Sequence, residues 1–95
     1  MDRTWKEHFQ PWILERGRAD WKEGRIKELD RTEDLITARI SGTSGEAYQV
    51  KVLLEHDDSR EMTCTCPYAV KNSTCKHMAA VLFAMQDFET TGEVA

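Results

Sequence analysis

The chain has no long hydrophobic run: its longest uninterrupted apolar stretch, residues 78–85, is eight residues. A bilayer-spanning helix needs about 20 such residues, so none is predicted. The first residues are charged, which argues against a signal peptide. A basic excess is also missing, since 17 acids outnumber 13 bases and the net charge is −4. Small domains that grip nucleic acid unaided are usually basic. Cysteine is limited to three residues, an odd number with no secretory signal. That excludes a disulfide framework and points to a reducing compartment, with the cytoplasm the expected location. Internal repeats and low-complexity linkers are absent too. With 40% apolar and 32% charged residues over 95 positions, the composition is that of one small soluble domain. A core of this size is marginal without a staple.

All three cysteines fall in one short stretch. Cys64-Thr65-Cys66 is followed, after eight residues, by Cys75-Lys76-His77. Together they make a Cys₃His set, which fits a closed tetrahedral zinc shell with no position left for water. In an extended strand, Cys64 and Cys66 face the same side. Pro67 ends that strand, and the segment 67–74, with Asn72, Ser73 and Thr74, reads as a loop. Inside a helix, Cys75 and His77 would lie about 200° apart. Cys75 is therefore placed in the turn before a helix over residues 78–88 and His77 in its first turn. The triplet Asn72-Ser73-Thr74 matches a glycosylation acceptor, a chance match in a cytoplasmic chain. His8 and His56 have no cysteine near them in sequence and are expected to be ordinary surface or core residues.

The remaining pattern predicts an α+β fold. Thr4 and Glu7 form a capping box ahead of an N-terminal helix. Trp5, Phe9, Trp12 and Ile13 recur on one helical stripe, which is expected to be core in preference to a partner face. Pro11 implies a kink or a restart, and Gly17 a stop. Alternation predicts strands at 35–40 and 48–54, joined by a glycine-bearing hairpin loop at 41–46. A weaker strand over 25–29 precedes a polar turn at 30–34. Another turn, 56–60, precedes the strand that carries the C-x-C pair. The expected architecture is an antiparallel meander of three or four strands, closed by the metal and by a C-terminal helix. Met78, Val81, Leu82, Met85 and Phe88 form the core stripe of that helix. Residues 1–24 are assigned to an N-terminal helical segment, 25–90 to the zinc-binding unit and 91–95 to a tail. Arg16, Arg18, Lys22, Arg25, Lys27 and Arg31 surround Trp21, an arrangement that suits phosphates and a stacked base. The interspersed Glu15, Asp20, Glu23, Glu28 and Asp30 favour a mixed-charge surface instead.

The pattern C-x-C-P-x₇-C-K-H followed by an apolar helix resembles the SWIM zinc finger. The likeness runs from about Ile13 to Met85, through Arg16-Gly17-Arg18, Gly24-Arg25-Ile26, Ile40-Ser41-Gly42 and Tyr48-Gln49-Val50-Lys51-Val52. The resemblance implies Cys64, Cys66, Cys75 and His77 as zinc ligands. It also implies a non-catalytic module, part of a larger protein, that binds a protein partner or DNA. Neither a membrane nor a small-molecule substrate is expected. The alternative is a [2Fe–2S] electron carrier. Cys₃His ligation of that kind occurs in CDGSH-type proteins, but with histidine four residues after the last cysteine. Here His77 follows Cys75 by two. A thiol enzyme built on Cys75 and His77 would need an orienting group and a pocket, and would leave Cys64 and Cys66 unexplained.

Overall fold

The computed structural model describes residues 3–32, 34–42, 45–55, 58–72 and 74–91, with some side chains in these segments left out. A 3₁₀ turn, Arg3–His8, leads into α1, Pro11–Lys22. Strands β1 (Ile26–Arg31), β2 (Leu35–Ser41), β3 (Ala47–Glu55) and β4 (Asp58–Cys64) follow, then α2 (Pro67–Asn72) and α3 (Lys76–Thr91). The four strands form one antiparallel sheet in sequence order, β1-β2-β3-β4. The expected α+β meander with a helix at each end is therefore the fold. The Thr4 cap, the His8 and His56 side chains and Phe88 lie outside what is described.

Alternation in β2 and β3 sets the sheet's inner face. Ile36 pairs with Val52, Ala38 with Val50 and Ile40 with Tyr48, which puts the branched side chains on one side. Ile36, Ile40, Val50 and Val52 are completely buried against α3, whose Met78, Val81, Leu82 and Met85 are equally enclosed. Trp5, Phe9 and Ile13 join the same core, so the N-terminal segment is packed into the sheet-and-helix core. Trp12 departs from the expected stripe and is 43% exposed. The reason is the break at Pro11: a 3₁₀ turn stops, and α1 restarts with Pro at its first turn. The helical phase is therefore not continuous from Trp5 to Trp12.

Gly17 does not stop α1. The helix continues to Lys22 and ends at Gly24, which has φ 74°. There the Gly24 N–H donates to Trp21 O (3.1 Å) and the Arg25 N–H to Asp20 O (3.2 Å). These are the two reverse bonds of a Schellman cap, with glycine at the left-handed position. Gly17 has a packing role instead. A Cβ built there would lie 2.6 Å from Ala79 Cβ, 2.8 Å from Lys76 O and 2.9 Å from Ala80 N. The two helices touch through hydrogen on one side and small side chains on the other. Helix propensity alone favours Gly17→Ala by about 1 kcal/mol, while overpacking costs about 1–3 kcal/mol. Gly17→Ala is thus expected to lower the melting temperature by several degrees, read by far-UV circular dichroism. A rise would mean that α1 and α3 do not approach this closely.

Candidate metal centre

Strand β4 lies at the sheet edge and ends on Cys64, which pairs with Val50. Pairing continues one residue further through Thr65: its N–H donates to Gln49 O (3.1 Å), and its Oγ1 accepts from the Gln49 N–H (3.0 Å). The chain is therefore still extended at Thr65, and Cys64 and Cys66 share a face. Residues 67–72 are not the loop expected from their sequence but the short helix α2, opened by Pro67. Cys66 immediately precedes it, and its Sγ accepts the Ala69 N–H at 3.4 Å. At α3 the pattern repeats: Cys75 precedes the helix, and its sulfur accepts the Met78 N–H. Two of the sulfurs thus sit at helix starts, where unpaired N–H groups and the helix dipole favour negative charge. His77, in the first turn of α3, turns its Nδ1 toward the Cys64 and Cys75 sulfurs.

The structure brings all four predicted residues together. Their donor atoms lie within 4.8 Å of one another. Cys64 Sγ is 3.7 Å and Cys75 Sγ 3.9 Å from His77 Nδ1. A tetrahedral ion with metal–sulfur bonds of about 2.3 Å and a metal–nitrogen bond of about 2.0 Å needs S···N edges of about 3.6 Å. The cage is therefore the size of one small cation. Cys66, Cys75 and His77 are buried and Cys64 partly so, and none of the cysteines is in a disulfide. Three sulfurs and an imidazole make a soft donor set, suited to zinc and its neighbours and not to calcium or magnesium.

Without a cation, three thiolates cannot share so small a space. The Cys64 thiol is pulled down to about 4, chiefly by a hydrogen bond from Cys75, with His77 and the Cys66 backbone helping. Cys75 is pushed well above the ordinary thiol value by that same contact with Cys64 and by burial, and Cys66 is raised mainly by burial. The metal-free site thus holds one thiolate and two thiols. Only a bound cation makes all three anionic together.

Sequence reasoning missed Asp20. It is 6% exposed, and one of its oxygens, Oδ2, makes no hydrogen bond. Its carboxylate lies 3.5 Å from Arg25 Nε and 3.8 Å from Lys76 Nζ. It thus ties the end of α1 to the residue between two ligands. Nothing in the local sequence distinguishes Asp20 from the other acids nearby. Arg25 is further occupied by Glu23 (2.9 Å) and by Gly42 O (3.3 Å), and Lys27 Nζ donates to Gly24 O (3.1 Å). Two members of the basic segment are therefore engaged within the chain, as the mixed-charge reading expects. The Tyr48 ring packs on His77, with centroids 5.0 Å apart. Among the described residues, no helix is long and apolar enough to cross a membrane.

A sheet and a helix that meet at a Cys₃His cluster define a small α+β module with a candidate metal site. Residues 48–86 match the model of the SWIM zinc finger family. The match takes in all four cluster residues and the segment 48–52, and leaves outside it the resembling segments at 16–18, 24–26 and 40–42. No curated protein and no solved structure matches the chain.

Proposed function

We propose that the chain is a non-catalytic, zinc-stabilised interaction module of the cytoplasm, part of a larger protein, which docks onto a protein partner in preference to DNA. Zinc is held by Cys64, Cys66, Cys75 and His77. The observation that carries this reading is the closed cage: four protein donors around one cation-sized space. A catalytic zinc keeps one position for water or substrate. A [2Fe–2S] cluster spreads its ligands in pairs over two irons, which fits a single compact set of donors less well. Thiol catalysis is disfavoured because Cys75 is buried with a raised pKa, the reverse of an activated nucleophile.

Preference for protein over DNA rests on charge. Nonspecific DNA affinity comes mainly from cations that release counterions, and this chain has a net charge of −4. Titration of zinc-loaded protein against labelled duplex and single-stranded DNA, at low salt and at about 150 mM, is expected to be flat at the higher salt. Submicromolar binding there, weakening steeply as salt rises, would overturn the preference. Charge reversal at Arg18 would then show whether the α1 surface is responsible.

A further inference from the structure

Two charges sit at the unfavourable ends of their own helices and answer each other across the α1–α3 crossing. Asp20 lies in the last turn of α1, where the helix dipole disfavours an anion. Lys76 opens α3, where the dipole disfavours a cation. Asp20 is also buried, with no hydrogen bond to Oδ2, a costly state for a carboxylate. What offsets these costs is the pairing: Oδ2 faces Lys76 Nζ at 3.8 Å, and Oδ1 faces Arg25 Nε at 3.5 Å. The first turn of α3 holds no acid of its own. Asp20 brings to it, from α1, the carboxylate that this helix start lacks.

Lys76 is the residue between Cys75 and His77, so half of the donor set depends on the turn it occupies. Helix α1 holds that turn twice. Asp20 takes the Lys76 side chain, and Gly17 lies against the Lys76 carbonyl, where a Cβ would come within 2.8 Å of the oxygen. Gly17 and Asp20 are three residues apart and therefore share one face of α1. Cys64 and Cys66 reach the cluster from elsewhere, at the end of β4 and just before α2. The cluster closes only while the start of α3 keeps its place against them. From this arrangement we infer that Asp20 is a positioning residue of the metal centre: through Lys76 it holds the Cys75–His77 turn in ligating position and so slows loss of the metal.

This inference rests on the zinc reading of the cluster and adds to it a residue outside the ligand set. The test is the rate of metal release from the zinc-loaded full chain into excess colorimetric chelator. Asp20→Asn and Lys76→Met should each release zinc about tenfold faster, the low end of the effect of residues that orient metal ligands from behind. The double variant should be no faster than either single one, because both changes break the same pair. Arg25→Met removes the other partner of Asp20, away from the ligand turn, and should leave the release rate unchanged. A merely structural role for Asp20 would instead make Arg25→Met and Asp20→Asn behave alike. Lys76 is part-exposed, so Lys76→Met decides the matter even if Asp20→Asn fails to fold. Release from both single variants at the unaltered rate, additive acceleration in the double variant, or equal acceleration by Arg25→Met would each overturn the inference. In each of those cases one zinc per unaltered chain leaves the zinc reading standing. An unaltered chain that binds no zinc would sink that reading and the inference together.

Discussion

Chelation of the metal, or replacement of Cys75 with serine, is expected to cost most of the fold's stability. Structural zinc in small domains binds with an apparent free energy of about 10–16 kcal/mol near neutral pH. A domain of this length has a total stability of about 5–15 kcal/mol. The cage joins the end of β4 to the starts of α2 and α3, so its loss frees the helix that completes the core. Cys75→Ser should lower the melting temperature by at least about 20 °C or abolish the cooperative transition, since about 4–8 °C goes with each kcal/mol in a domain of this size. An unchanged melting curve after proven metal removal would show that packing alone holds the fold.

The pH dependence of the same experiment has a definite sign. In the metal-free chain Cys64 titrates at about 4, far below the ordinary thiol value of 9.0. Its contribution is full above that ordinary value and fades as pH falls toward 4. Cys66 and Cys75 are raised, so their contribution is full below the same value and is lost as pH rises past it. Metal-free protein should therefore lose stability on the alkaline side of about pH 9 as well as in acid. With metal bound, all three sulfurs are anionic and the alkaline loss disappears, leaving only acid release. Paired melts at pH 8 and 10, with and without chelator, check this difference. An alkaline loss of equal size in both would refute the one-thiolate description of the empty cage.

Trp5→Ala carries the second large effect. Trp5 is completely buried, edge-on to Phe83 at 4.9 Å and to Phe9 at 6.0 Å, and its indole N–H donates to Gln86 Oε1 at 3.0 Å. Removing such a ring costs about 3–5 kcal/mol through lost transfer energy and the cavity left behind. Trp5→Phe should recover most of that and lose about 1 kcal/mol with the hydrogen bond. Trp12→Ala, at an exposed site, should stay within about 0.5 kcal/mol. Urea denaturation of the three variants gives the ranking. If Trp5→Ala were as mild as Trp12→Ala, the N-terminal segment would be an appendage and not part of the core.

The clustering of the four donors was legible because its information is local: residue type and spacing put them at a strand end and a helix start. The sheet was legible through alternation, which β2 and β3 keep across Ile36, Ala38, Ile40, Val50 and Val52. What escaped depends on partners distant in sequence or on too short a signal. Six residues of α2 make less than two turns, so no apolar period can develop. Turn-forming residues at its end then dominate the reading. Gly17 looks like a stop because its neighbour is invisible: only Ala79 and Ala80, across the helix crossing, explain it. Trp12 falls out of the core because the break before Pro11 resets the helical phase. Asp20 gains its importance from Lys76 and Arg25, neither of which its own sequence context picks out.

Zinc-edge X-ray absorption on protein purified without chelator tests the ligand assignment most directly. Cys64, Cys66, Cys75 and His77 as the complete ligand set require three sulfurs at about 2.3 Å and one nitrogen at about 2.0 Å around a single zinc. A shell with fewer sulfurs and added oxygen would reveal an open, water-bearing site. A missing zinc edge, with an iron-edge spectrum that contains a metal–metal distance, would identify a cluster and contradict the structural zinc centre.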